Sequence, residues 1–308
     1  MADVVVVGSL NMDLVVKTAR MPLAGETIPG KDLQLIPGGK GANQAAAAAR
    51  LGSLVAMVGR VGNDAFGPQL IENLGRQGVD TSHVVVDDGA ATGTAMIIVD
   101  DTGENSIVIS AGANGRVSKG DLDRVEGLLS RARVLLLQFE VPLETVEYAI
   151  EMAARHQVKV ILNPAPARPV SPGSLARVDC LVPNETEASM LTGLDVDDLP
   201  SARQAAQKLL GYGVPVVIIT MGEEGALLAT ERRMAHVPAR KVKVVDTTAA
   251  GDAFIGGLAV ALMKEFPLDE AVRYATCAGT LAVRKFGAQT SLPSAEQVQV
   301  FYEGGTPT

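Results

Sequence analysis

Short apolar runs alternate with helix-length stretches along most of this chain. Residues 2–8, 55–61, 134–137, 158–162, 180–182 and 214–220 are dense in Val, Ile and Leu over strand-like lengths. Between them, residues 42–51, 66–77, 143–156 and 202–210 read as helices, and 253–264 and 268–283 follow near the end. Apolar strands alternating with helices predict an α/β fold with a mainly parallel sheet covered on both faces. Right-handed crossovers would join the strands.

Two segments break that rhythm. Residues 13–35 and 92–110 are β-rich without helices between their runs, as in Leu14-Val-Val-Lys, Ala95-Met-Ile-Ile-Val-Asp and Ser106-Ile-Val-Ile. They are expected to meet as a small antiparallel sheet projecting from the main one, with Gly38-Gly39 as a hinge; two irregular surface hairpins are the other outcome.

Composition narrows the class. The chain has 308 residues, 47% hydrophobic and 20% charged, with no Trp, which suits an α/β enzyme with one large core. A net charge of −8 argues against nucleic acid as a partner, since phosphate backbones need a basic face. Cys180 and Cys277 lie far apart in apolar contexts, as buried thiols of a reducing compartment do. Three scattered histidines do not assemble a typical zinc site with them. No signal peptide and no membrane span is apparent, so a cytoplasmic location is expected.

The densest chemistry is in Asp246-Thr-Thr-Ala-Ala-Gly-Asp-Ala-Phe254. Residues 240–245 alternate like a strand before it, and a helix follows. The first amides of a helix lack intrahelical partners and sit at the positive end of its dipole, so they suit phosphate. Asp252 in such a place is either an N-cap or a general base for an attacking hydroxyl. Gly38-Gly-Lys-Gly-Ala-Asn43 opens an earlier helix. It is not a Walker A loop, because Lys40 is followed by Gly41; it is a ligand loop or simply a turn. Polar clusters at Asn11 and Asp13, Glu140, 184–187 and 220–225 follow strand-like runs, at the end of a parallel sheet where ligands bind. Asx turns are the plainer account of Asn11 and Asp13.

Together the motifs are specific. Residues 246–254, Gly38-Gly-Lys-Gly-Ala-Asn-Gln-Ala45, Asn163-Pro-Ala-Pro-Ala167 and Pro183-Asn-Glu-Thr-Glu-Ala188 resemble the signatures of the ribokinase (PfkB) family of carbohydrate kinases. The likeness covers essentially the whole chain. The lysine of the Gly-rich motif is typical of the ribokinase branch rather than of fructokinases.

The resemblance implies one ribokinase-like domain over 1–308, a three-layer α/β/α sandwich, with a lid formed by about 13–37 and 92–110. It implies ATP-dependent phosphorylation of a sugar, D-ribose at O5 foremost. Asp252 would be the base, with the amides of Ala249, Ala250, Gly251 and Asp252 as anion hole. Asn11, Asp13, Gly39, Lys40, Gly41, Asn43 and Glu140 would hold the sugar. Asn184, Thr220, Gly222, Gly225, Gly251 and Thr276 would line the ATP site. Glu187, with Asn184, would organise Mg²⁺ through water. A potassium ion would lie near Asp246, Thr248, Ala282, Lys285, Gly287 and Ser291, held mostly by backbone oxygens; otherwise 287–291 is an ordinary loop. The lid sheets would pair in a homodimer.

Met12 bears on the substrate. It either packs into the lid base, as adaptable Met side chains do, or presses on the sugar pocket and favours 2-deoxyribose. Cys277 is expected to be a small core residue near the adenine. A kinase of this family acting on deoxyribose, another sugar or a nucleoside is the nearest rival, although scarce aromatics disfavour a base-stacking site. A non-catalytic sugar-binding or regulatory protein is the rival of another class, disfavoured by the intact Gly251 and Asp252.

Overall fold

Four consecutive valines, with no exposed surface, form strand β1 (Val4–Val7). The computed structural model describes residues 2–307, and the strands after β1 follow in chain order. They are β2 (Asn11–Lys17), β3 (Lys31–Gly38), β4 (Val55–Gly62), β5 (Val79–Asp87), β6 (Gly93–Val99) and β7 (Asn105–Ser110). Then come β8 (Val134–Leu137), β9 (Lys159–Leu162), β10 (Cys180–Leu181), β11 (Val216–Thr220), β12 (Ala226–Thr230) and β13 (Arg233–Val237).

Nine of these make one sheet in the order β13-β12-β11-β10-β9-β8-β1-β4-β5. From β11 to β5 every pair is parallel; β12 and β13 close the other edge as antiparallel additions. Strand alternation splits the core into two layers. Val4 and Val6 face the helices Lys40–Arg50, Ala250–Met263 and Leu268–Ala282, whereas Val5 and Val7 face Leu143–His156 and Leu199–Leu210. The three-layer sandwich is as expected.

β2, β3, β6 and β7 form the second sheet, in the order β3-β2-β6-β7. The expected antiparallel sheet needs one correction, because its central pair β2–β6 is parallel. The chain leaves the end of β2, forms β3 antiparallel to it, then crosses the main sheet twice before returning as β6, so the return runs in the same direction. Leu14 stands opposite Leu35 and Met96, and Met96 opposite Val108, so these side chains share a face. Leu35, Met96 and Val108 are all about half exposed or more on it.

Two further expectations are corrected. Residues 240–245 are not a strand: the amides of Val245 and Asp246 both donate to Val283 O at the end of a helix, and Val244 and Val245 are exposed. The β12–β13 hairpin already occupies that edge of the sheet. The following helix begins at Ala250, three residues before its expected start, which places Asp252 in its first turn. Strands β5, β12 and β13 are not among the expected ones: β5 and β13 mix polar with apolar residues, and the buried run of β12, Ala226-Leu-Leu-Ala, is short.

Candidate active site

Five neighbouring parallel strands end on one edge of the main sheet. Asn11 follows β1, Glu140 follows β8, Asn163 follows β9, Asn184 follows β10, and Thr220 ends β11. Polar side chains at the carboxyl ends of adjacent parallel strands share one crevice.

The Gly-rich loop closes this crevice from one side. Gly39 has φ +93°, and a Cβ there would lie 2.8 Å from Asn11 N and 2.9 Å from Ser9 O. A Cβ at Gly41 would lie 2.5 Å from Ser9 N. These two glycines therefore let the helix Lys40–Arg50 start directly against the end of β1. Lys40 N donates to Glu140 Oε2 at 3.0 Å, Gly41 N to Ser9 Oγ at 3.3 Å, and Ser9 Oγ donates in turn to Glu140. Glu140 is thereby fixed beside the loop.

Asp252 lies at the centre. It is 7% exposed and accepts from Asn43 Nδ2 on one oxygen and Gln44 Nε2 on the other, both at 3.0 Å. Burial raises its pKa, against the charge of Lys40 and the Asn43 and Gln44 hydrogen bonds. Asp13 rises to about 7, chiefly from burial and then from the charges of Glu140 and Asp252, with Lys40 opposing. For Lys40 itself, burial disfavours the charged form but Asp252, Glu140, Glu187 and Asp13 outweigh it and raise the pKa. One cation thus sits among four carboxylates.

The start of helix Ala250–Met263 faces the same crevice. Ala249 adopts the left-handed region, φ 59°, as its N-cap. Ala250 N is engaged by Thr247 O at 3.2 Å, so it is not free for a ligand as expected; Gly251 and Asp252 amides have no protein acceptor among the described residues. A Cβ at Gly251 would meet nothing within 4 Å. Packing does not demand glycine there, and the space in front of the residue is open.

After β10, Asn184 and Glu187 form a capping box. Glu187 N donates to Asn184 Oδ1 at 2.8 Å, and Asn184 N to Glu187 Oε2 at 2.9 Å. Asn184 also bridges to Thr220, whose amide bonds Pro183 O. Gly222 opens a short 3₁₀ turn, with space around it. Gly225 is glycine for the fold's sake, since a Cβ would lie 2.2 Å from Val237 O. Thr276 lines a cavity of about 240 Å³ with Arg240, Arg273, Cys277, Thr280 and Tyr302. Cys277 is buried, and its pKa is raised by burial to about 11, so it is an unreactive thiol.

Asp246 is joined to the 287–291 loop. Gly287 N donates to its Oδ2 at 2.8 Å, while Thr248 N and Oγ1 donate to Oδ1 at 2.9 and 2.7 Å. Burial pushes the Asp246 carboxyl up, but these donors prevail and hold it below the usual range. Lys285 and Ser291 line a smaller cavity near the same loop, and Lys285 N donates to Ala282 O. An ionised carboxylate is the kind of oxygen ligand that a hard cation takes. No group of three or more His, Cys, Asp or Glu side chains poised for a metal occurs among the described residues.

Several residues had no role assigned from sequence. Gln44 and Asn163 lie inside the quoted motifs, yet only the fold shows Gln44 Nε2 bonding both Asp252 and Asn163 Oδ1, the latter at 3.2 Å. Asn163 Nδ2 reaches Glu187 Oε2 at 3.3 Å, linking Asp252 through Gln44 to the capping box. Asn114 Nδ2 donates to Asn11 Oδ1 at 2.7 Å from 103 positions away; no sequence signal marks it. Met12 is 1% exposed in the core, on the face of β2 opposite Asn11 and Asp13. It packs rather than pressing on the pocket.

Comparison with known proteins matches this geometry. Residues 1–295 match the model of the pfkB family carbohydrate kinases. The chain belongs to that family. It is 40% identical over 298 residues to a ribokinase of Haemophilus influenzae, covering 97% of each chain. It is 42% identical over 296 residues to a deoxyribokinase of Salmonella typhi, covering 96% of this chain and 97% of that one. Among solved structures, an Arabidopsis thaliana ribokinase complexed with ribose and ATP superposes with TM-score 0.91 at 35% identity, covering 98% of this chain and 99% of that one. As a member of the pfkB family, the chain is a kinase with the ribokinase-like fold.

Proposed function

We propose that this kinase transfers the γ-phosphoryl group of ATP to O5 of D-ribose. The observation that carries it is Asp252: a buried carboxylate at a helix start, both oxygens held by donors, beside the unengaged Gly251 and Asp252 amides. Asn11, Asp13, Lys40, Asn43 and Glu140 converge at the sheet edge with acceptors and donors suited to a polyol. The Arabidopsis relative bound to ribose and ATP supports sugar and nucleotide in such a crevice.

Asp252 takes the O5 proton as O5 attacks; the new O5–P bond forms as the bond from phosphorus to the ADP oxygen breaks. The Gly251 and Asp252 amides, with that of Ala249, stabilise the charge on the transferred group. Lys40 offsets charge among the surrounding carboxylates. Asn184, Thr220 and Gly222 flank the triphosphate, and the cavity at Thr276 takes the adenine end. Mg²⁺, when bound, neutralises phosphate charge; Glu187 and Asn184 would hold it through water, since the ion keeps much of its hydration. Asp246 and the carbonyls near Ala282, Lys285, Gly287 and Ser291 would hold K⁺, which steadies the turn ahead of Ala250.

The second sheet acts as a lid that keeps water from the phosphoryl group. Its exposed Leu35, Met96 and Val108 support a homodimer through paired lids, which sedimentation would test. Buried, unpaired Cys180 and Cys277 support a cytoplasmic setting. A 2-deoxyribose acceptor is the second possibility, favoured by the 42% identical Salmonella relative but no longer by Met12. ADP release over a panel of pentoses, hexoses and nucleosides, with and without K⁺, tests the proposal: ribose should give the highest kcat/KM. No turnover on any sugar would refute it.

A further inference from the structure

Asp252 ends two chains of side-chain amides. An ionised carboxylate only accepts hydrogen bonds, so Asn43 and Gln44 must both turn their NH₂ groups toward it. That requirement propagates outward. Asn43 Oδ1, facing away, must accept, and it does so from Gln289 Nε2 at 3.3 Å. Gln289 Oε1 must then accept, and Asn73 Nδ2 supplies the donor at 2.6 Å. On the other arm, Gln138 Nε2 donates to Gln44 Oε1 at 2.6 Å, and Gln138 Oε1 has no partner among the described residues. The two arms differ in one respect: only the first ends on a half-buried residue remote from substrate, Asn73, on the helix Phe66–Arg76.

We propose that Gln289 and Asn73 are positioning residues that fix the orientation of the Asn43 carboxamide, so that its NH₂ and not its oxygen faces Asp252. The proposal rests on Asp252 being the base. Gln289 is 4% exposed and Asn43 6%, so neither amide can satisfy itself with bulk water if reversed. A reversed Asn43 would set an oxygen against an oxygen. Asp252 could then relieve the contact only by keeping its proton, and a protonated base does not accept one from the sugar. Gln289 also lies between Gly287 and Ser291, so the loop tied to Asp246 carries the link.

Asn73→Asp tests the chain from its far end. Its carboxylate accepts only, so Gln289 must present Nε2 to it and Oε1 to Asn43, and Asn43 must reverse. The expected result is a loss in kcat of at least about tenfold and a shift of the acidic limb of the kcat–pH profile to higher pH, with the KM for ATP unchanged. Asn73→Ala, which removes the donor without imposing a reversal, should lose much less. Gln69→Glu adds the same charge one turn away on the exposed side of that helix and should leave the profile in place. A wild-type profile for Asn73→Asp overturns the proposal, as does an equal shift in Gln69→Glu. If Asn73→Asp does not melt cooperatively, Gln289→Glu imposes the same reversal on Asn43 and decides by the same readout. Wild-type turnover in Asp252→Asn would instead overturn the base assignment, a separate failure.

Discussion

Asn43 Nδ2 lies 3.0 Å from Asp252 Oδ2, although 209 positions separate the two residues. One belongs to the helix behind the first Gly-rich motif and the other to the helix behind the last. Their hydrogen bond joins the two halves of the site, because the side chains expected at the sugar come largely from one half and the unengaged Gly251 and Asp252 amides from the other.

Asp252→Asn removes the proposed base while keeping the shape. It should bind ribose within about threefold of the parent by calorimetry and lose roughly 10²–10⁴-fold in kcat. Turnover near that of the parent would mean that another group takes the proton.

Gly251→Ala separates stability from activity. A Cβ there meets nothing within 4 Å, and alanine is favoured over glycine inside a helix by up to about 1 kcal/mol. The melting temperature should hold or rise slightly, while kcat falls by at least about tenfold as the methyl group crowds the bound phosphoryl group. A fully active variant would place the anion elsewhere.

Asp13 gives the unliganded protein a pH signature. Its folded pKa is about 7 against an ordinary 3.8. The native state therefore holds a proton that the unfolded chain releases between these values, and stability falls as pH rises from about 4 to 7. Asp13→Asn should melt close to the parent below pH 4. Above pH 7 it should gain on the order of 4 kcal/mol, several degrees. A gap independent of pH would show that the Asp13 pKa is the same in the folded and unfolded chain.

Gly93→Ala should damage sugar binding selectively. Its Cβ would lie 2.1 Å from Asn114 Nδ2 and 2.4 Å from Asn11 Oδ1, displacing the pair that holds Asn11. The KM for ribose is expected to rise at least about tenfold with the KM for ATP unchanged, since a displaced positioning group costs orientation. Equal changes in both constants would point to general loosening of the fold.

Much of the site was legible because its residues are local in sequence. The motif at 38–45 placed Lys40 and Asn43, and the run at 246–254 placed Gly251 and Asp252, each on a turn whose conformation follows from its own small residues. The strand-end rule placed Asn11, Asp13, Glu140 and Asn184, since an apolar run followed by polar residues marks where a buried strand emerges. At Gly225 the glycine also answers to the fold, through Val237 O, and alternation overreached at 240–245, where it did not supply a sheet edge to join. Asn114, Gln138 and Gln289 left no trace, because a buried amide reads in sequence like any polar residue.

The sequence by itself determined the layering of helices on a parallel sheet, the family signatures, and the helix start at which Gly251 and Asp252 lie. These depend on periodicity and on backbone freedom within a few residues, both of which are local properties. Only the tertiary structure decided which amides face Asp252, that Ala250 N is already engaged, that Met12 turns into the core, and that β2 and β6 run parallel. Each of these is a contact between distant segments, and its direction is set by donor and acceptor matching and by packing that exist only once the chain has folded.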